Sequence, residues 1–276
     1  LREGLGAKGQ GWPLEIPVGQ ALPTSVSLER SSQFATAFLI AAAGLLYRGK
    51  ISEYTLRLEG NVRSEPYLKL TLALLREAGF TAEMSEGEVR LKLLEKKSRF
   101  HFFVEKDASS LAFLDVFAQR WGLSSFFTPS RQGDSEFPTF AAALTRGEKI
   151  SLRHHPDLAP PLWALAALLR QRLEVVDCPQ LHWKESDRAK LLAQAAQTLG
   201  APAEEREDGF LADFSGWVPP SEETFLRTDG DHRLAMAFGL LATDLPSVMP
   251  DRRDCVRKSF PSFWPALQLL EEVLPG

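Results

Sequence analysis

Cysteine is scarce in this sequence, and no cysteine or histidine spacing typical of a zinc site is present. Cys178 and Cys255 are the two cysteines among 276 residues. No CxxC pair occurs, and the adjacent His154 and His155 point apart. The sequence therefore predicts neither a metal nor a cofactor. So few cysteines fit a reduced compartment, and we expect a cytoplasmic location.

The sequence also lacks a hydrophobic run long enough for a membrane span. Its longest apolar stretch, Phe34 to Tyr47, is about one-third too short to cross a bilayer and predicts a buried helix instead. No secretory signal is visible. The chain begins with Leu1 rather than methionine, and residues 1–6 are typical of a helix end with a glycine stop. We therefore expect an N-terminal truncation and no membrane partner.

Positive charge is not in excess, since the formal net charge is −4. This balance argues against a broad nucleic-acid-binding surface, so any anion site must be a local basic cluster. The 44% apolar and 25% charged content is that of a folded globular protein. A chain of 276 residues can form one large domain or two ordinary ones.

Hydrophobic periodicity alternates between helical and strand-like stretches along the chain. After strands and turns over residues 7–30, the predicted order is helix, strand, helix, strand, strand, and a similar order recurs at about 70–80 residues. The predicted helices cover 34–47, 65–78, 107–117, 134–145, 156–171, 185–200, 231–242 and a segment after Pro261. The predicted strands cover 51–58, 81–84, 89–94, 100–104, a stretch near Phe126, 149–153, 173–176, 202–206 and 210–214. The sequence thus predicts an α/β protein of repeated βαβαββ units, with a domain boundary near residues 104–107.

A dense group of charges, Lys184-Glu185-Ser186-Asp187-Arg188, directly precedes an apolar-periodic run. If a helix begins at Glu185, then Glu185 pairs with Arg188 and Lys184 lies on the same helical face as Arg188. Cations at a helix start oppose the helix dipole, and an anionic ligand would remove this conflict. The segment alone supports two interpretations, a solvated first turn with a local salt bridge and an anion site.

Other predicted helices also begin with polar or basic residues. Either serine of Ser31-Ser32-Gln33 can cap the helix 34–47. Asp157 and Asp231 are good N-caps, Arg233 can pair with Asp231, and Lys258 stands in a basic loop before a proline. If the repeats bring these helix starts together, they form a cleft rich in N–H donors, cations and carboxylates. Such a cleft suits small substrates that bear phosphate and carboxylate groups.

Taken in order, these segments resemble the EPSP synthase (3-phosphoshikimate 1-carboxyvinyltransferase) family. The resemblance rests on Ser31-Ser32-Gln33, Ser64-Glu65-Pro66-Tyr67, Asp107-Ala108-Ser109-Ser110, Gln132-Gly133-Asp134, Lys184–Arg188, Asp231–Met236 and Cys255–Pro261. It implies an enolpyruvyl transferase-like inside-out α/β barrel, in which each of two domains holds three βαβαββ units. Residues 1–104 would be the remainder of the shikimate-3-phosphate-side domain, and residues 105–276 a second domain that carries most of the phosphoenolpyruvate ligands.

The resemblance also implies a reaction and its residues. The enolpyruvyl group of phosphoenolpyruvate would pass to shikimate-3-phosphate with release of phosphate, a step of chorismate and aromatic amino acid biosynthesis, in a monomer without a cofactor. The implied ligands of shikimate-3-phosphate are Ser31, Ser32, Gln33, Ser64, Tyr67, Asp157 and Lys184, and those of phosphoenolpyruvate are Arg188, Arg233 and Lys258. Asp157 would also be the base toward the attacking hydroxyl, and Glu185 would exchange the proton at the methylene carbon. Cations placed where negative charge develops during the transfer would stabilise such a reaction.

The sequence departs from the family pattern in several places. The family's N-terminal substrate-binding segments do not occur in it, so we expect the chain alone to be inactive. Gln180 stands where the family has asparagine, which affects one expected substrate contact, and Leu234 stands where methionine is usual.

Three alternatives stay open. One is the related enolpyruvyl transferase that acts on UDP-N-acetylglucosamine, against which the Lys184–Arg188 segment argues. Another is a non-catalytic remnant or fragment of the fold that binds anions without its N-terminal half-site. The third is a protein similar to RNA-phosphate cyclases, against which the acidic net charge argues.

Overall fold

The computed structural model describes residues 21–29, 31–61, 64–99 and 101–272. The chain divides into two compact units: unit 1, Leu1–Val104, and unit 2, Glu105–Gly276. Both units combine helices with sheets, which confirms the predicted α/β class.

The described part of unit 1 contains one four-stranded sheet with two helices packed on it. Its elements are β1 (Ser25–Ser27), α1 (Gln33–Tyr47), β2 (Tyr54–Glu59), α2 (Glu65–Glu77), β3 (Phe80–Ser85) and β4 (Glu88–Leu93). The strand order is β1-β2-β4-β3, with β1 and β2 parallel and the other pairs antiparallel. In β2 the buried residues Tyr54, Leu56 and Leu58 alternate with exposed ones, so one face of the sheet meets the helices and the other does not.

Unit 2 begins with two helices and continues with two further groups of strands. Its elements are α3 (Ala108–Arg120), α4 (Phe137–Thr145), β5 (Ile150–Ser151), α5 (Ala159–Leu169), β6 (Arg172–Val176), α6 (Arg188–Thr198), β7 (Ala203–Arg206), β8 (Gly209–Asp213), β9 (Thr224–Leu226), α7 (His232–Leu241), β10 (Val248–Pro250) and α8 (Phe263–Glu272). Four short 3-10 helices connect them: Gly133–Glu136, Pro156–Leu158, Pro179–Trp183 and Asp254–Lys258.

The described residues of each unit contain one copy of the predicted βαβαββ repeat. In unit 2 the order β5-β6-β8-β7 reproduces the order β1-β2-β4-β3 of unit 1. The first two strands are again parallel, and the last two again form an antiparallel hairpin. A further parallel pair, β9 with β10, is connected through α7. Because parallel strands need a crossover helix, each repeat places helix N-termini after the carboxyl ends of its strands.

The core of unit 2 surrounds α5. Every residue from Ala159 to Ala167 is buried, which explains why this helix has no polar face. Trp163 packs edge-to-face on Phe214 and Phe238 at centroid distances of 5.4 and 5.3 Å. This aromatic contact joins α5 to α7 and to the chain directly after β8.

Several sequence predictions differ from the structure. Residues 101–104 and the stretch around Phe126 form no strand, and Phe103 and Val104 are 86% and 87% exposed. Apolar residues alone do not make a strand where the described chain offers no partner strand. The short strands β9 and β10 were not predicted. The helix end predicted over residues 1–6, residues 7–20 and Arg30 of the following stretch, and Phe100 lie outside the described residues.

The helix predicted to be buried, α1, is buried along one face. Ala35, Phe38, Leu39, Ala42 and Leu46 face the core. Ile40, on the other side, is 59% exposed within the described part of the chain. The sequence of this helix is apolar on nearly all sides, but this pattern alone did not determine which of its faces are buried.

The close approach of β6 to the start of β8 yields a test of the second repeat. A Cβ added at Gly209 would overlap the carbonyl oxygen of Val175. Gly209→Ala is therefore expected to lower the free energy of unfolding by about 1–3 kcal/mol, the usual range for overpacking, as measured by urea denaturation.

Gly216→Ala is the matched control, because a Cβ there would meet no atom within 4 Å. Its free energy of unfolding should stay close to that of the original chain. Equal stability of the Gly209→Ala protein would contradict the described register of β6 and β8.

Candidate functional site

Residues 184–187 form a non-helical connection, and the helix starts only at Arg188. Helix α6 begins at Arg188, because the Asp187 carboxylate caps it by accepting a hydrogen bond from the Lys190 amide at 3.1 Å. Lys184 has extended backbone angles. The prediction that Lys184 and Arg188 share one helical face is therefore wrong. The predicted Glu185–Arg188 pair is confirmed, with Nη2 of Arg188 2.8 Å from Oε2 of Glu185.

Arg188 is fully buried, and three carboxylates surround its guanidinium. Nε donates to Asp231 at 2.8 Å, Nη1 to Asp157 at 2.6 Å and Nη2 to Glu185 at 2.8 Å. A buried charge is costly unless it is paired and hydrogen-bonded. Burial lowers the pKa of Arg188, but the nearby carboxylates, Asp157 and Asp231 first among them, outweigh burial and raise that pKa. The guanidinium is thus permanently charged.

Asp157 collects the cations of three different elements. It lies in the 3-10 helix Pro156–Leu158, and its carboxylate does not cap α5. Its oxygens lie 3.3 Å from Nζ of Lys184, 2.6 Å from Nη1 of Arg188 and 3.4 Å from Nη2 of Arg233. Burial raises the pKa of Asp157, and the three cations together hold it well below its ordinary value. The capping interpretation of Asp157 is therefore wrong.

Glu185 connects the buried Arg188 to the more exposed Lys258. Nζ of Lys258, at the end of the 3-10 helix Asp254–Lys258, lies 3.1 Å from Oε1 of Glu185. Burial raises the pKa of Glu185, but Arg188, a backbone hydrogen bond and Lys258 lower it overall. Glu185 is consequently ionised at neutral pH and able to accept a proton.

Asp231 organises the cluster, and the sequence predicted its capping role and a pairing with Arg233 but not its contact with Arg188. The predicted N-cap is confirmed, since its carboxylate accepts from the Arg233 amide at 2.9 Å. It also accepts from Ser186 Oγ at 3.0 Å and from Arg188 Nε at 2.8 Å. The side chain is fully buried. The pairing of Asp231 with a buried cation had one signal in the sequence. A carboxylate that caps a wholly apolar helix becomes buried, and a buried carboxylate needs a cation as its partner.

The expected pairing of Asp231 with the Arg233 side chain is wrong. The Arg233 guanidinium reaches Asp157, while Asp231 is engaged by Arg188. The neighbouring His232 is buried. Burial, followed by the charge of Arg233, lowers its pKa, so at neutral pH the imidazole adds no charge.

These groups form one charged cluster within unit 2, hereafter the unit 2 cluster. Its members are Asp157, Lys184, Glu185, Arg188, Asp231, Arg233 and Lys258. Four cations face three carboxylates, which leaves one excess positive charge. An anion that binds here would therefore meet net attraction and several N–H donors.

The serines of unit 1 that were predicted as substrate ligands lie where α1 and α2 begin. Ser32 is buried, and its hydroxyl donates to the carbonyl oxygen of Ser64 at 3.1 Å. Ser64 directly precedes α2 with φ at +55°, and its carbonyl also accepts from the Tyr67 amide at 3.2 Å. The Ser31 hydroxyl accepts from the Gln33 amide at 3.2 Å, so the capping predicted for this pair is performed by Ser31. These five residues form a second candidate site within unit 1.

The two residues that depart from the family pattern, Gln180 and Leu234, are both buried. Gln180 is buried and donates through Nε2 to the carbonyl oxygen of Arg153 at 2.8 Å. Leu234 is fully buried in α7. Leu234 belongs to the hydrophobic core of unit 2.

The repeated βαβαββ unit and the unit 2 cluster indicate an enolpyruvyl transferase-like protein. A family model described as EPSP synthase (3-phosphoshikimate 1-carboxyvinyltransferase) matches residues 6–121 and 130–267, and the chain belongs to this family. No helix in the described residues is both long and apolar enough to cross a membrane.

Individual relatives agree with this assignment. The chain is 29% identical to a 3-phosphoshikimate 1-carboxyvinyltransferase of Methanothrix thermoacetophila, over 90% of this chain and 62% of the relative. It is 29% identical to the protein of that description from Vibrio campbellii, over 94% of this chain and 65% of the relative. The chain thus spans less than two thirds of the length of these curated relatives.

A solved structure shares the fold. The EPSP synthase of Acinetobacter baumannii superposes with a TM-score of 0.67 at 19% identity, covering 96% of this chain and 68% of that one. This likeness confirms the predicted enolpyruvyl transferase-like architecture.

The burial of Arg188 makes the charge of Asp231 testable. Asp231→Asn keeps a good helix cap but removes one charge partner of a buried arginine. We expect the free energy of unfolding to fall by about 3 kcal/mol, as measured by urea denaturation at pH 6. Asp107→Asn is the control, since Asp107 caps α3 in the same way but no buried cation depends on it. Similar losses in both variants would show that capping alone explains the effect.

The ion pair between Asp231 and Arg188 also predicts that stability depends on pH. The pKa of Asp231 is lowered in the folded chain, because Arg188 and the Arg233 amide outweigh its burial. A lowered pKa stabilises the fold above the unfolded value of about 3.9, and this stabilisation is lost as pH falls through the folded value. The stability difference between the original chain and the Asp231→Asn variant should therefore be largest at pH 6 and shrink toward pH 3. A difference that stays constant over this range would contradict the pairing.

Proposed function

We propose that this chain takes part in the transfer of the enolpyruvyl group from phosphoenolpyruvate to shikimate-3-phosphate, with release of phosphate. This step belongs to the shikimate pathway of chorismate and aromatic amino acid biosynthesis. The observation that carries the proposal is the unit 2 cluster, in which the buried Arg188, three further cations and three carboxylates meet. Family membership and the names of the curated relatives support it.

Phosphoenolpyruvate is the proposed ligand of Lys258, Arg233 and Arg188. The three differ in access, since the side chains of Lys258, Arg233 and Arg188 are 59%, 14% and 0% exposed. Lys258 and Arg233 can meet an anion directly. Arg188 reaches one only if Nη2 exchanges the Glu185 carboxylate for the ligand. That exchange would free Glu185 as the ligand enters.

Glu185 is the proposed proton carrier at the methylene carbon of phosphoenolpyruvate. Glu185 takes up a proton from solvent once the anionic substrates have raised its pKa. The attacking hydroxyl of shikimate-3-phosphate adds to the adjacent carbon and loses its proton to Asp157, while the protonated Glu185 gives its proton to the methylene carbon. Phosphate then leaves the resulting ketal with the proton held by Asp157, and the methyl group returns a proton to Glu185, which restores the enol double bond. Both carboxylates thus act as general acid–base groups.

Substrate charge makes these carboxylates better bases. In the chain by itself, the surrounding cations hold the pKa values of Asp157 and Glu185 below their ordinary range. Anionic substrates would neutralise Lys184, Arg233 and Lys258 and so raise both pKa values. The proton carriers would then gain basicity when the reacting groups are in place.

Shikimate-3-phosphate is the proposed ligand of the unit 1 site. Ser31, Ser32, Gln33 and Ser64 offer hydroxyl and amide groups where two helices begin, a favourable place for phosphate, and Tyr67 follows one turn later. Lys184 and Asp157 are proposed from the family resemblance as ligands of its ring hydroxyls. We further propose that residues 1–104 form the shikimate-3-phosphate-side domain and residues 105–276 the domain with most phosphoenolpyruvate ligands, in a cytoplasmic monomer.

Phosphate release tests the reaction. Both substrates are incubated with the 276-residue chain and with the complete product of the gene, and inorganic phosphate is measured. We expect release by the complete product that requires both substrates. Binding of phosphoenolpyruvate without phosphate release at high protein concentration would instead support the non-catalytic anion-binding alternative.

Glu185→Gln separates catalysis from binding. The variant removes a proton carrier and keeps the cations, so turnover should fall by about 10²-fold or more, with a much smaller change in the KM for phosphoenolpyruvate. Glu207→Gln is the control, because Glu207 is exposed in the β7–β8 turn and should leave both values unchanged. Parallel losses of turnover and binding in the Glu185→Gln variant would indicate a structural salt bridge.

A further inference from the structure

A second group of ionisable side chains lies beside the unit 2 cluster without belonging to it. His182, Asp187 and Glu205 each offer one ligand atom, and all three atoms lie within 4.8 Å of one another. They come from the 3-10 helix Pro179–Trp183, the N-cap of α6 and strand β7. The enolpyruvyl transfer proposed above uses none of them.

The hydrogen bonds of His182 show that this group requires a cation. Nε2 lies 2.9 Å from the carbonyl oxygen of Arg206, which can only accept, so Nε2 carries a proton. Nδ1 lies 2.9 Å from the Asp187 carboxylate and 3.8 Å from that of Glu205. A neutral imidazole presents a lone pair at Nδ1, and that lone pair would face two anions. The position between Nδ1 and the carboxylates must therefore hold a positive charge, either a proton or a metal ion.

A single proton on Nδ1 of His182 cannot satisfy both carboxylates. One N–H can point at one carboxylate, and the second is left at 3.8 Å. No lysine or arginine of the described residues lies within 4 Å of the Asp187 or Glu205 carboxylate. In contrast, the neighbouring Glu204 pairs with Arg206 at 3.2 Å. Asp187 also accepts from the Lys190 amide, but the imidazole is the ionisable group that the two carboxylates share.

A divalent metal ion satisfies all three groups together. Zn²⁺ bound at about 2.0–2.1 Å by nitrogen and oxygen places its ligand atoms about 3.3 Å apart, a spacing between the two observed distances from Nδ1. Metal-bound histidine usually donates its other N–H to a carbonyl or carboxylate, which Nε2 already does. Asp187 can cap α6 and bind a metal simultaneously, because a carboxylate has several lone pairs.

We propose that His182, Asp187 and Glu205 form a binding site for a divalent transition metal ion of the Zn²⁺ class. The side chains are 18%, 37% and 43% exposed, so the site is open to solvent and leaves room for water as a further ligand. A bound ion would hold both ends of the segment 183–186, which carries Lys184 and Glu185, against strand β7. The ion's role is structural, and the site exists whether or not enolpyruvyl transfer takes place.

Titration calorimetry of the 276-residue chain with ZnCl₂ at pH 7 tests the site, with Co²⁺ absorption spectra as a second probe. We expect one equivalent of Zn²⁺ to bind with a Kd in the micromolar range. Glu205→Gln removes one ligand at an exposed position and should weaken binding by about tenfold or more. Glu204→Gln is the matched control on the same strand and should bind Zn²⁺ like the original chain.

Thermal unfolding provides an independent readout. Zn²⁺ should raise the unfolding midpoint of the original chain and of the Glu204→Gln variant, and it should raise that of the Glu205→Gln variant much less. Circular dichroism without metal checks that all three are folded. Equal Zn²⁺ binding by the Glu205→Gln variant would overturn the proposal. So would the absence of Zn²⁺ binding together with a nitrogen NMR spectrum showing both His182 ring nitrogens protonated at pH 7, which would identify an imidazolium ion pair.

Discussion

The burial of one guanidinium, that of Arg188, is the constraint on which the arrangement of unit 2 depends. A charge without solvent contact must be surrounded by opposite charge and by hydrogen-bond acceptors. Asp231, Asp157 and Glu185 supply these from the start of α7, from a 3-10 helix before α5 and from the connection before α6. Three segments distant in sequence are thereby held at one point, and Lys184, Arg233 and Lys258 are drawn in as partners of the same carboxylates.

The cluster is close to charge balance, and this property connects stability with binding. Its single excess positive charge is small enough to be compatible with a folded core and large enough to attract an anion. A ligand that carries a carboxylate and a phosphate would reverse the balance and weaken the hold of the cations on Asp157 and Glu185. The carboxylates that stabilise the cluster are thus the groups whose pKa values would respond most to a bound anion.

Sequence periodicity predicted much of the fold, and its failures have physical reasons. The repeat was visible because alternating helix and strand patterns need no knowledge of distant contacts. The strand expected at 100–104 failed because a strand requires a partner, and the described chain offers none there. The beginning of α6 was misplaced because Asp187, rather than an earlier residue, caps it, and several residues of that segment are equally good capping candidates.

By itself, the sequence determined the α/β class, the repeated unit, the family and the residue types of the site, because these depend on local patterns and on the order of motifs. Apart from the Glu185–Arg188 pair, only the tertiary structure decided which charges meet. Asp231 engages Arg188 rather than the Arg233 side chain, and Asp157 collects three cations instead of capping a helix. It also brought His182, Asp187 and Glu205 together, although their spacing in sequence matches no metal motif. The contacts of the segment Lys184–Arg188 therefore depend on charged residues that are distant in sequence, and a local sequence pattern cannot predict them.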